Sequence, residues 1–376
     1  MSFRSALLNI HLCAGLIAAV FLLILGVTGS VMVFEDEIDH ALNARLTWVT
    51  PAPQRLSLTE LKSRLENKYP GYQVGGFSLS TRKDIAYSAF LASPALHKGF
   101  GVAFDQYTGR ILGTSDESNN FTGKLHQFHL RLLAGAAGAT IVGWAAVFLL
   151  FLSISGLILW WPRKIFQVNW HASGRRITFD LHNALGIYSS VFLLLFSLTA
   201  IVIRWEEPAS KLAERLTNSP QQQSIPDSAP PPPGAVPLDP ESLLAIAQRA
   251  APGASARVLA LAGGPREAVR IIMKYPEDGT PAGRTNIYLD AYTGKILFAQ
   301  TSRNAPVSFK IVKLWNREIH TGDIFGWPTR ILASFFSLML PVMAITGPLI
   351  WWQRRRKTVE STESAGQTRN TASSAS

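Results

Sequence analysis

Residues 12–34, 132–161, 183–203 and 331–353 carry no charged side chain and are apolar all round rather than along one stripe. At about 1.5 Å of rise per residue, roughly 20 such residues cross a bilayer core. The pattern therefore predicts four transmembrane helices. The first is too long for the apolar region of a signal peptide and runs on through Gly26, Thr28 and Gly29 into further apolar residues, so it reads as a retained span.

Between the spans the pattern becomes that of a repeat. Residues 58–71 and 240–253 each read as an amphipathic helix closed by Pro-Gly, followed by alternating, strand-like runs. Asp105-Gln-Tyr-Thr-Gly-Arg-Ile-Leu112 matches Asp290-Ala-Tyr-Thr-Gly-Lys-Ile-Leu297. Tyr-Thr-Gly suits a hairpin turn, with Gly109 and Gly294 supplying positive φ. Each unit is expected to be a small α+β module with an antiparallel sheet, serving as a scaffold or as a docking surface. Residues 219–240 hold eight prolines and predict an extended linker.

The expected organisation is a terminal segment (1–11), a first span (12–34), a first module (35–125) and a second span with its approach (126–161). A loop (162–181), a third span (182–203), an extension with linker (204–240) and a second module (241–318) follow. The fourth span with its approach (319–353) leads to a Ser/Thr-rich tail (354–376) expected to be disordered.

Composition changes this picture only through where the charge lies. With 47% hydrophobic and 16% charged residues the chain is neither disordered nor fully soluble. Regions 35–131 and 204–330 are near balance, with 11 Lys/Arg against 10 Asp/Glu and 15 against 12; the remaining pieces hold 10 against 3. The net +11 is therefore mostly a topology signal. It places both termini and the 162–181 loop in the cytoplasm and the modules in the periplasm of a bacterial inner membrane. It removes the motive for a nucleic-acid partner, since no basic face with interleaved aromatics occurs. Trp160–Trp161 and Trp351–Trp352 stand where interfacial anchors belong. The single cysteine, Cys13, excludes a disulfide framework or a cysteine-held metal cluster and is expected to pack in the core.

The histidines offer chemistry. His11 and His182 stand at the starts of spans one and three; His126 and His129 precede span two, and His320 leads into span four. By the topology, His11 pairs with His182 near the cytoplasm, and His129 or His126 with His320 near the periplasm. Imidazoles at two levels are what a transmembrane electron path needs: one b-type haem per level, held axially from two helices. Partial positive charge at helix N-termini would keep such imidazoles neutral. Gly15 and Gly186 each follow a histidine by four residues, leaving the same helix face open for a flat macrocycle, and Gly135 and Gly138 do so after His129. The His126/His129 pair also has the spacing of a mononuclear metal pair. Arg131 and Arg330 flank the periplasmic level as partners for haem propionates or as interfacial anchors. His40, His97 and His171 read as surface residues. No nucleotide-binding glycine fingerprint or hydrolytic triad stands out.

The blocks His129-Leu-Arg-Leu-Leu-Ala-Gly135, Ser155-Gly-Leu157, Leu159-Trp-Trp-Pro-Arg163, Asp180-Leu-His-Asn183 and Ile319-His-Thr-Gly322 resemble the PepSY-associated transmembrane proteins, and both modules look like PepSY domains. Within that family the chain is most similar to the inner-membrane ferric-siderophore reductases of the ferrioxamine type. The resemblance implies two haems on His11, His182, His129 and His320, leaving His126 near the periplasmic haem edge or the substrate. It also implies reduction of a periplasmic ferric siderophore, hydroxamates being one class, with electrons from an unidentified donor on the cytoplasmic side. Two other readings stay open: a membrane anchor for non-redox interaction or peptidase-inhibiting modules, and a haem reductase of another acceptor such as quinone or free ferric chelates.

Overall fold

The computed structural model describes residues 2–355 apart from 94, 97, 117–119, 222–226 and 232. His97, part of the Pro-rich linker and nearly all of the tail lie outside the described residues.

Four helices are long and apolar enough to cross a membrane: Phe3–Met32, Gly135–Trp160, Gly174–Arg204 and Trp327–Arg355. They are here the first to fourth spans. The first and third begin well before the uncharged runs. Arg4 and Asn9, or Arg175, Arg176 and Asp180, interrupt the apolar run without interrupting helical geometry. The second and fourth are preceded by separate short helices, Phe121–Arg131 and Asn316–Thr321. The first of these ends on Leu132 and Leu133, both with positive φ. Left-handed backbone costs a non-glycine residue roughly 1–2 kcal/mol. The fold accepts that cost to swing the second span away from the helix that carries His129. Gly138 belongs to this corner, because a Cβ there would lie 1.7 Å from the Arg131 carbonyl oxygen. It permits close backbone approach rather than opening a face for a cofactor, which corrects the sequence expectation.

Cys13 is exposed on the outer surface of the first span, not in the core. The helix turns Ala14 and Ala18 inward and leaves the thiol to the lipid-facing side. Trp160, expected at the interface, is buried and donates its indole N–H to Ile165 O at 2.9 Å.

The first and fourth spans cross closely at Gly26. A Cβ there would meet Pro341 Cδ at 2.5 Å, Leu340 Cβ at 2.7 Å and Ser337 O at 2.9 Å. Ser337 Oγ donates to Gly26 O at 3.0 Å and Ser30 Oγ pairs with Ser334 Oγ at 2.8 Å. Small residues and hydroxyl bonds are the usual adhesive between helices in lipid. Gly26→Ala is expected to lower stability by about 1–3 kcal/mol, as overpacking does, read as an earlier thermal loss of the monodisperse peak in detergent. Gly174→Ala, where an added Cβ meets nothing within 4 Å, should leave that peak unchanged.

Outside the bundle the strands are β1 (Gln73–Ser78), β2 (Tyr87–Ser93), β3 (Lys98–Phe104), β4 (Ile111–Ser115), β5 (Ser255–Ala260), β6 (Ala268–Lys274), β7 (Thr285–Asp290) and β8 (Ile296–Gln300). The two units expected to carry separate sheets form one. The order is β4-β3-β2-β1-β5-β6-β7-β8, antiparallel throughout, with Phe77 opposite Leu259 at the junction. Pairing β1 with β5 removes an exposed edge from each unit. Helices Leu58–Lys68 and Pro240–Ala250 cover one face, and a single core runs through both units, including Phe77, Phe104, Leu259 and Ile271. Glu241 ties the units further by accepting from Leu58 N and, at 2.6 Å, from Thr59 Oγ1. Both Tyr-Thr-Gly turns form as the repeat suggests. Gly109 and Gly294 hold φ of 74° and 70°, and Asp105 and Asp290 accept from backbone N–H groups two residues on.

Candidate functional site

Two cavities open along the bundle. The sheet-side cavity, about 1470 Å³, is lined by His126, His129 and His320 and roofed by residues of β5–β7. The far-side cavity, about 300 Å³, is lined by His11 and His182 with Gly15 and Gly186. The four histidines named from the sequence thus come together in the two pairs expected. The far-side cavity is the tighter one: Leu152 and Met343 stand 3.7 Å and 3.2 Å from where a Cβ on Gly15 or Gly186 would lie.

Each of the four imidazoles makes the same hydrogen bond. His11 Nδ1 lies 2.7 Å from Ser155 Oγ on the second span, and His182 Nδ1 lies 2.8 Å from Thr346 Oγ1 on the fourth. His129 Nδ1 lies 2.8 Å from Thr28 Oγ1 on the first span, and His320 Nδ1 lies 2.8 Å from Thr199 Oγ1 on the third. The hydroxyls also donate backwards along their own helices: Ser155 to Phe151 O at 2.6 Å, Thr346 to Val342 O at 2.8 Å, Thr28 to Ile24 O at 2.8 Å and Thr199 to Leu195 O at 2.6 Å. A hydroxyl has one proton. With that proton on the carbonyl, the oxygen accepts from Nδ1–H, and Nε2 is left with a free lone pair. This is the tautomer that imidazole ligands to metals adopt, held by an outer partner.

Three of the four hydroxyl residues are followed by glycine. A Cβ on Gly156 would lie 3.5 Å from His11 Cε1, one on Gly347 3.5 Å from His182 Cε1, and one on Gly29 3.1 Å from His129 Cε1. The ring edge rests on bare backbone, which fixes its plane. Alanine follows Thr199, and there Phe196 packs edge-on to the His320 ring at 6.1 Å.

These hydroxyls were not singled out from the sequence, although a signal exists. Thr28 follows His11 by 17 residues and Thr199 follows His182 by 17; Ser155 follows His129 by 26 and Thr346 follows His320 by 26. The duplication seen outside the bundle extends through it to the residue.

None of the four histidines occupies a first helical turn. His11 and His182 are in the third turns of their spans, and His129 and His320 are in the last turns of their short helices. The helix-terminus account of neutral imidazole therefore fails, and what the hydroxyl acceptors supply instead is a choice of tautomer. A six-residue π-helical stretch, Lys310–Trp315, leads into the His320 helix. Such turns are frequent at functional sites; here Asn316 Nδ2 donates to Thr199 O at 3.2 Å and anchors the helix beside its hydroxyl partner.

His126 pairs with Glu35 at 3.1 Å on the wall of the sheet-side cavity. Arg131 is exposed to that cavity. Arg330 also lines it, but its guanidinium fork is taken by Glu37 at 2.8 and 2.7 Å and by Val33 O, between the Phe34 and Trp327 rings. It clamps the end of the first span to the start of the fourth. His40 packs edge-on against Trp48, and His171 is exposed.

A four-span bundle under one duplicated antiparallel sheet, with paired histidines in two cavities, defines a class of integral membrane protein with a histidine-lined cavity towards each end of the bundle. The sequence model of the PepSY-associated TM region matches residues 8–354, and the chain belongs to that family. Comparison with curated proteins gives no match.

Proposed function

We propose that the protein is a di-haem electron carrier of the bacterial inner membrane that reduces ferric siderophores. His11 with His182 would hold one b-type haem, and His129 with His320 the other. The observation that carries this reading is the set of four imidazoles lining two cavities, each with Nδ1 at hydrogen-bond distance from a hydroxyl, which would leave Nε2 for a ligand. Haem bound there supplies a one-electron couple at each level. The protein's part is to fix ring planes and tautomers and to surround both sites with apolar helices that exclude water.

The charge distribution supports an orientation with both termini in the cytoplasm and the sheet, read as two fused PepSY modules, in the periplasm. A cytoplasmic-side donor gives up one electron for each Fe(III) reduced. Hard oxygen ligands hold Fe(II) less tightly than Fe(III), so reduction frees the metal.

Protein purified from cells with ample haem supply is expected to show sharp bis-imidazole haem bands on dithionite reduction, and the reduced form to reoxidise on mixing with a ferric siderophore. A colourless, monodisperse protein would overturn the haem reading. A coloured one that reoxidises no faster than in buffer would overturn the siderophore reading.

A further inference from the structure

We propose that β5–β7 form a cationic docking face that selects anionic ferric chelates, a reading that rests on the electron-delivery function above and narrows its substrate class. Arg257, Arg270, Lys274 and Arg284 all line the roof of the sheet-side cavity. The burial alternation of β6 explains why. Val269, Ile271 and Met273 point into the core, so Arg270, Ile272 and Lys274 share the opposite face.

The duplication supplies an internal control. Val269 pairs with Leu289, and Tyr87 with Phe104, each strand-end pair directly preceding a turn aspartate. By that register Arg270, Ile272 and Lys274 correspond to Ser88, Phe90 and Ala92, while Arg284 and Asn286 correspond to Gly99 and Gly101. The first unit folds the same sheet with no charge at these positions, and its strands do not line the cavity. Fold stability therefore does not require the cations; they occur where the sheet faces the cavity.

The cations feel nearby carboxylates, Asp36 beside Arg257, Asp278, Asp323 and Glu318 beside Lys274, and Glu206 and Glu318 beside Arg284, but close no ion pair with them. None of the four has a carboxylate within salt-bridge distance among the described residues. Arg257 reaches only Thr81 Oγ1 at 3.1 Å, Arg270 reaches Asn286 Oδ1 at 2.8 Å, and the buried Nε of Arg284 has no partner. Burial, with the Arg257 guanidinium nearby, holds Lys274 below its ordinary value. The cavity's own carboxylates are engaged elsewhere: Glu277 with Arg303, Glu35 with His126, Asp278 with Tyr275 N, and Asp323 with Thr321 and Arg330. Asp36 is held above the usual carboxylate range by burial and by Glu37, which weakens it as a counter-charge.

A resident haem does not account for this face. Arg131 and Arg317 line the same cavity from the short helices that carry His129 and His320. At about 1470 Å³ the cavity exceeds the ~300–1,000 Å³ of a usual ligand pocket, leaving space for a second occupant beneath the sheet. Guanidinium and ammonium groups without a salt bridge in a partly dry recess attract carboxylate or catecholate oxygens and disfavour cationic chelates.

The test is equilibrium dialysis of the oxidised, full-length protein in detergent against two ferric complexes: a tris-catecholate chelate, which is anionic, and a linear tris-hydroxamate chelate without net negative charge. The catecholate is expected to bind about tenfold tighter or more, and raised salt should narrow the gap. Arg270→Gln with Lys274→Gln should weaken catecholate binding by about tenfold, shift hydroxamate binding less than twofold, and leave haem content unchanged. Equal affinity for both chelates would overturn the proposal, as would unchanged catecholate binding in the double variant. A parallel loss of haem in that variant would also overturn it, by assigning these cations to the resident group. Charge-selective binding by a wild type that lacks haem would support the docking face while rejecting the haem reading.

Discussion

Replacing His320 with alanine is expected to halve the haem bound per protein and to leave the bundle folded. The ring sits over a cavity with its Nδ1 bonded to Thr199, so truncation removes the Nε2 donor without opening a packed core. His182→Ala should do the same at the far side, where His182 bonds Thr346. The informative outcome is the pattern of non-additivity. His129→Ala combined with His320→Ala should lose no more haem than either alone, because both serve one site, whereas His182→Ala combined with His320→Ala should lose nearly all of it. His126→Ala should retain both haems, since its Nδ1 is committed to Glu35. The measurement is haem per protein with the reduced spectrum. If His126→Ala costs as much as His129→Ala, the sheet-side pairing is misassigned.

Thr346→Val is expected to weaken haem retention at the far side about 10–100-fold, the usual consequence of removing the outer partner of a metal-bound imidazole. Valine keeps the shape of threonine and removes the acceptor, so His182 is free to carry its proton on Nε2. Thr28→Val should act likewise on His129. Thr346→Ser should restore retention, because serine can make the same two hydrogen bonds. The rate of haem transfer to an excess acceptor protein reads the effect site by site, and the midpoint potentials of the two haems should move separately in the two variants. Unchanged transfer rates would show that the hydroxyls do not set the tautomer.

Much of this arrangement was legible because two of its signals are physically strong. A run of about 20 uncharged apolar residues has few uses outside a bilayer, and histidine at the margins of four such runs is hard to place otherwise. The limits of reading lie with particular residues. The first and third spans start earlier than their apolar runs, since hydropathy registers Arg4 and Arg175 as boundaries while the backbone continues through them. The separation of the His129 helix from the second span rests on left-handed Leu132 and Leu133, which leucine gives no reason to expect. Fusion of the two units through β1 and β5 is a tertiary choice: each edge reads as an edge until its partner is known. The hydroxyl partners stood in the sequence at matched spacings. They were overlooked because Ser and Thr within an apolar run ordinarily bond their own helix, as these also do.

The matched spacings bear on how the two histidine pairs are assembled. Each cavity takes one histidine from the first repeat and one from the second, while each histidine's hydroxyl partner comes from its own repeat. Neither repeat owns a complete histidine pair. A chain of one repeat would have to meet a second copy of itself about a two-fold axis, sheet edge to sheet edge, before either histidine pair existed. Joining the copies makes that encounter intramolecular, and it frees the repeats to diverge, one keeping a neutral sheet face while the other becomes basic.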